Sequence, residues 1–366
     1  MKLLQQLISI RSVSGEEDII QDFIHAYLVK LGYEPIFYKG NVMVKISGQD
    51  TQKSLIFNAH SDTVAVGDIS SWSHDPFKGL VKDGKIFGLG ASDEKATIAV
   101  LLNLAKHYRK KQPECDIWLH FVLKEEVDGS GTQSCLEWFM KHERGQYKGV
   151  AGILGEPTNL STIEIGHRGN VFLTCTTYGD SGHASDPSQI KTHAVFEMFS
   201  FMKKVEDLGE VWKTKYGDSF LGEPSIGMLT SISAGDIVSP NKFPDTCTST
   251  LDIRTTPVLH GKVLSEIQKL DKKVKVVYTY PPLLFGTTQS DETIVAIAQS
   301  VTDVPLGMST WSNDLCFFTE QGIPAIVYGP GNKERIHNAN EFCELDNLSI
   351  CVRQYQKILK EFGATE

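Results

Sequence analysis

The sequence has no C-x-x-C pair, no low-complexity tract, no internal repeat and no long apolar run. Its seven cysteines, at positions 115, 135, 175, 247, 316, 343 and 351, are odd in number and scattered. That pattern excludes a zinc finger or dithiol redox site and reads as reduced thiols filling core gaps. Lys2, Gln5, Gln6 and Arg11 interrupt the first fifteen residues, so no apolar block of signal-peptide or membrane-span length is found there. A cytoplasmic protein without a membrane partner is expected. Basic charge is also short. With 36 Lys and Arg against 45 Asp and Glu, the formal net charge of -9 disfavours nucleic acid as a partner.

What is present is an ordinary globular balance, 41% apolar and 22% charged over 366 residues, more chain than one hydrophobic core usually holds. Two domains are therefore expected. Ser14 and Glu17 have the spacing of a capping box, and Ile20, Phe23, Ile24, Tyr27, Leu28 and Leu31 follow at helical spacing up to Gly32. Short apolar runs at 42–46, 55–57, 117–123, 150–154 and 325–328 alternate with helical stretches, the pattern of a largely parallel α/β sheet. Between about 169 and 280 the pattern becomes β-rich around a long helix at 192–208 and a strand at 246–254, which reads as an inserted domain. Helices at 292–301 and 345–362 then return to the first core.

Open α/β sheets bind ligands beyond the carboxyl ends of their strands. Four of the apolar runs lead there into acid or histidine. They are followed by Asn58-Ala59-His60-Ser61-Asp62, by Lys124-Glu125-Glu126, by Gly155-Glu156-Pro157, and by Gly329-Pro330-Gly331 leading to His337. Asp93, within Gly88-Leu89-Gly90-Ala91-Ser92-Asp93-Glu94-Lys95, stands just before another helix. His60, Asp93, Glu126, Glu156 and His337 are thus candidate nitrogen and carboxylate donors for a pair of zinc ions sharing one bridging carboxylate. Taken singly, any of the 11 histidines and 45 acids is more often a solvated side chain. The adjacent Glu125 and Glu126 are more informative, because two carboxylates at one strand end repel unless cations compensate. Gly88-Leu89-Gly90 lacks the third glycine of a dinucleotide site and reads as a tight turn needing positive φ.

These stretches, with Trp72-Ser73-His74-Asp75-Pro76-Phe77, Gly182-His183-Ala184-Ser185-Asp186-Pro187, and Asn241, Asp245, Asp252, Arg254 and Glu341, span nearly the whole chain. Together they resemble the acetylornithine deacetylase and succinyl-diaminopimelate desuccinylase family, which includes aminoacylases and zinc carboxypeptidases. The resemblance implies a zinc-peptidase-like, mostly parallel α/β sheet flanked by helices from residues 1–168 and 281–366, with an inserted α+β dimerisation or lid domain at 169–280. It implies two Zn2+ ions, with Co2+ as a possible substitute. One ion would sit on His60 and Glu156 and the other on Glu126 and His337, with Asp93 bridging. Asp62 would orient His60, and Glu125 would be the general base toward the water between the ions.

The resemblance further implies a homodimer in which His183 stabilises the oxyanion in the neighbouring subunit's site. Asn241 and Arg254 would bind the substrate's carboxylate. The plain readings beside these are a surface-loop histidine and an Arg254–Asp252 ion pair. The implied reaction is cleavage of the amide bond of an N-acyl amino acid, most like acetylornithine deacetylase. A desuccinylase, a carboxypeptidase or dipeptidase of the same family, a phosphatase, and a non-catalytic small-molecule binding relative are the alternatives. Ala96, Lys124 and residues 310–314 depart from the family pattern, and the last of these is expected to line the acyl or side-chain pocket.

Overall fold

Four apolar runs lie side by side as parallel strands, in the order Cys115–Val122, Asp50–His60, Gly149–Leu154, Ala325–Val327. Antiparallel strands flank this middle: Asn41–Ile46 and Ile36–Tyr38 on one side, Ile163–His167 on the other. Every residue of Cys115–Val122 is buried, as expected of an interior parallel strand covered on both faces. Ile117, Leu119 and Phe121 join one core with Leu55, Phe57, Leu101 and Leu359, while Trp118 and His120 meet Phe139 on the opposite face. The register sets His60 opposite Val122 and Asn58 opposite Leu154, so the three strands end almost level.

The computed structural model describes residues 1–365, and the chain divides into two compact units. The sheet belongs to the unit formed by Met1–Gly166, Gly286–Ser309 and the chain from Asn313 onward. Helices Lys95–Tyr108 and Leu345–Ala364 add their apolar faces to its core. A three-stranded antiparallel sheet, Phe342–Glu344, Lys85–Phe87 and Leu80–Lys82, carries Glu341 to the loop that holds Asp93.

The other unit is His167–Phe285 with Thr310–Ser312. Its antiparallel sheet runs Ser225–Ala234, Thr246–Thr255, Gly169–Tyr178, Lys275–Tyr278. Alternate residues Val171, Leu173, Cys175, Cys247, Leu251 and Ile253 point into a core with Met198, Phe201, Val205 and Trp212 of helix Ala194–Tyr216. Asn170 and Leu283 exchange two backbone hydrogen bonds of 2.9 Å, which ties the returning chain to this unit. No helix among the described residues is long and apolar enough to cross a membrane.

The expected capping box is not formed. The helix begins at Asp18, and Glu17 occupies its N-cap without a side-chain cap bond. Both polar groups are drawn elsewhere: Ser14 Oγ donates to Asp62 Oδ2 at 2.7 Å, and Glu17 accepts from the backbone N–H groups of Gly15 and Lys124. A short amphipathic helix, Lys2–Ser9, precedes it and buries Leu4, Leu7 and Ile8.

Candidate metal centre

His60 is the last residue of its strand and is fully buried. Its Nδ1 lies 3.1 Å from the Asp62 carbonyl, which can only accept, so Nδ1 carries a proton and Nε2 faces the centre. There Nε2 is 2.9 Å from Asp93 Oδ1 and 3.9 Å from Glu156 Oε1. The second oxygen of Asp93 faces His337 Nε2 at 3.4 Å, and the same Nε2 is 3.0 Å from Glu126 Oε1. The structure therefore brings His60, Asp93, Glu126, Glu156 and His337 together around one carboxylate.

Loop geometry explains the convergence. Gly90 has φ +75°, and a Cβ there would meet Thr63 Cγ2 at 2.8 Å, so the turn before Asp93 takes glycine only. The peptide between Asp93 and Glu94 is cis. Glu341 fixes this loop by accepting from the backbone N–H groups of Gly90, Ser92 and Asp93 at 2.7–3.0 Å. Gly329 lets the turn leading to His337 pass against the one bearing Glu156, since a Cβ there would stand 1.8 Å from the Gly155 carbonyl oxygen.

Glu125 and Glu126 sit on a turn whose backbone is held by Asp62. Its Oδ1 accepts from the Glu125 N–H at 3.1 Å, and its Oδ2 accepts from the Glu126 N–H at 3.2 Å. Lys124 enters this turn with φ +57° and is solvent-exposed, so the departure there leaves the inner wall unchanged.

Electrostatics point to a cation. Burial, followed by the charges of Glu125 and Glu94, pushes Glu156 well above the ordinary carboxyl range; burial and then the charge of Asp93 raise Glu126. Burial also opposes protonation of His60, yet Glu94, Asp62, Asp93 and Glu156 outweigh it and hold that imidazole well above its usual pKa. Asp93 and Glu126, accepting hydrogen bonds from the His337 ring, raise its pKa to about 10. Protons thus compensate a cluster of carboxylates that divalent ions would neutralise through the same atoms. Among the described residues, two groups place one ligand atom per residue within 4.8 Å of one another: His60, Asp93 and Glu126, and His60, Glu94 and Glu156. The donor set of imidazole nitrogen and carboxylate oxygen fits divalent ions of the zinc, manganese or cobalt kind.

Two acids close to this centre were not singled out from sequence. Glu94 is buried and accepts the His60 backbone N–H. Asp314 is buried, accepts from Thr132 Oγ1, and is pushed by burial up to about 7; its charge, after burial, is the next cause raising Glu125. Of residues 310–314, Asp314 lies beneath the surface at the start of helix Leu315–Glu320. A lone acid ahead of Leu315-Cys316-Phe317-Phe318 was the available signal.

His183, Asn241 and Arg254 lie in the other compact unit. His183 is exposed; its Nδ1 meets Ser185 Oγ at 2.8 Å and its Nε2 meets Asn241 Nδ2 at 3.3 Å. Arg254 pairs with Asp252 at 3.0 Å, the plain reading of that residue. Arg168, also unremarked in sequence, has its pKa lowered by burial and then by the positive charge of Arg254.

Residues 56–361 match peptidase family M20/M25/M40. The chain is 24% identical to an acetylornithine deacetylase of Buchnera aphidicola subsp. Schizaphis graminum over 99% of its length and 97% of the relative's. It is 26% identical to a succinyl-diaminopimelate desuccinylase of Wolbachia pipientis subsp. Culex pipiens, covering 99% and 93%. In fold it is similar to an M20 family metallo-carboxypeptidase from Sulfolobus solfataricus, with TM-score 0.78, 20% identity and coverage of 99% and 98%. It is also similar to a dinuclear metal-binding peptidase of the M20 family from Bacillus subtilis, with TM-score 0.70, 15% identity and coverage of 98% and 96%. The chain belongs to peptidase family M20/M25/M40 and is a metal-dependent hydrolase.

Proposed function

We propose that the chain removes the acyl group from an N-acylated amino acid, at a centre of two divalent ions held by His60, Asp93, Glu126, Glu156 and His337. The observation that supports this most is Asp93, whose two oxygens face two different imidazoles at 2.9 and 3.4 Å, as a carboxylate shared between two ions requires. Bound there, divalent ions polarise the amide carbonyl and make water acidic enough to ionise near neutral pH.

The chain's own residues do the rest. Glu125 takes the proton of the attacking water on its carboxylate and returns it to the departing amine nitrogen. Burial and the charge of Asp314 raise its proton affinity, which suits a group that must accept a proton and then release it. Asp62 holds Glu125 and Glu126 in place through their backbone N–H groups. The relatives' names divide between removal of an acetyl and of a succinyl group from an amino-acid nitrogen, which supports acyl-amide substrates as the class. Acetylornithine-like substrates are put first, with succinylated amino acids and dipeptides next. A homodimer, zinc as the resident ion, and His183, Asn241 and Arg254 as contacts to the reacting substrate complete the reading.

The test is release of free amine from N-acetyl, N-succinyl and dipeptide substrates, with zinc or cobalt added, for wild type and Glu125→Ala. The expected result is a loss of ~10²-fold or more in turnover with metal content unchanged, the scale of a missing general base. No turnover by metal-loaded wild type on any class, or full activity in the variant, overturns the proposal.

A further inference from the structure

We infer that Glu94 is an additional carboxylate donor to the ion on the His60 side of the centre. The inference rests on the two-ion reading above and goes beyond its ligand set.

Glu94 is 1% exposed and sits between Asp93 and the start of helix Lys95–Tyr108. One oxygen, Oε1, accepts the backbone N–H of His60. The other, Oε2, is buried and meets no hydrogen-bond partner of the chain among the described residues. Neither protonation state satisfies it: as an acid, Oε2–H needs an acceptor, and as a carboxylate it needs a donor or a cation. Glu94 also offers a ligand atom within 4.8 Å of those of His60 and Glu156. An ion bound by His60 and Glu156 is therefore within reach of the Glu94 carboxylate, and held through Oε2 it would satisfy the orphaned oxygen while separating two carboxylates that otherwise repel.

The consequence is an asymmetric pair. The His60 side has one imidazole and three carboxylates, from Asp93, Glu156 and Glu94. The His337 side has one imidazole and two, from Asp93 and Glu126. Oxygen-rich sites suit harder ions of higher coordination number. The His60 side thus holds Mn2+ against Zn2+ better than the His337 side does.

Glu94→Gln keeps the shape and an acceptor for the His60 N–H but removes the charge, while Glu94→Leu removes both. Metal-free wild type and both variants are first compared by circular dichroism. Each is then titrated calorimetrically with Mn2+ and with Zn2+, its bound metal is counted by mass spectrometry, and the absorption of its Co2+ form is recorded. Wild type is expected to bind two ions. Both variants should lose at least ~10-fold in affinity at one site only, more for Mn2+ than for Zn2+. Their Co2+ absorption should strengthen as the coordination number falls. If wild type binds two ions and both variants reproduce its isotherms and its Co2+ spectrum, Glu94 serves only the His60 N–H and the inference is wrong. If wild type binds no ion, the two-ion reading itself fails, and this inference with it.

Discussion

Asp62 shows how one buried side chain can serve several partners at once. Its carboxylate accepts from Ser14 Oγ and from the N–H groups of Glu125 and Glu126, and its Oδ1 lies 3.4 Å from His60 Nδ1. Burial works against its charge, but the hydrogen bonds and the charge of His60 overcome that and lower its pKa. Asp62→Asn keeps the size but turns an NH2 group toward donors. We expect turnover to fall ~10–100-fold, the range for a residue that acts by orienting others. Bound metal, counted by mass spectrometry, should stay near the wild-type value, because Asp62 offers no ligand atom to either candidate group. Loss of metal in step with activity would instead place its main effect on His60.

At the scale of elements, much of the site was legible because each apolar run ends where its chemistry begins. His60 closes the strand Asp50–His60, and Glu156 follows Leu154 by two residues. What stayed hidden depended on distant partners. Ser14 and Glu17 carry a capping signature, yet Asp62 and Lys124 compete for them across the fold. Glu94 reads as an ordinary acid beside Asp93 until the loop turns it inward. The strand Cys115–Val122 hides another such residue. His120 is fully buried against Trp118 and Phe139, neither ring nitrogen has a hydrogen-bond partner among the described residues, and burial pushes its pKa down to about 3. Below about pH 6.5 the unfolded chain binds a proton there that the folded chain refuses, so stability falls as pH drops from 6.5 toward 3. The slope is about 1.4 kcal/mol per pH unit from this group. In His120→Leu that increment should vanish. Urea melts of both proteins at pH 7 and 5 check it, and parallel losses on acidification would mean that His120 finds a partner for its proton.

Over the whole molecule, the candidate metal centre lies within one compact unit, and His183, Asn241 and Arg254 within the other. Phe196 and Phe199 are 68% and 52% exposed on helix Ala194–Tyr216, apolar area that a dimer contact would cover. A second copy of the chain is the partner implied by the family resemblance, with His183 contributed to its neighbour. This arrangement makes a prediction that a same-chain role for His183 does not share. Glu125→Ala and His183→Ala homodimers should each be nearly inactive, since every site lacks one group. In a hybrid of the two, one site pairs the intact Glu125 of one chain with the intact His183 of the other, and so works. Random pairing at equal amounts makes half the dimers hybrids, each with one competent site of two, so activity should return to about a quarter of the wild-type value. Co-expression with two different tags isolates the hybrid, and its amine release can be compared with either parent. If His183 serves its own chain, each site in the hybrid still lacks one group and activity stays at the parental level. A protein that sediments as a monomer would also remove the premise, and His183 would then have to act within one chain or not at all.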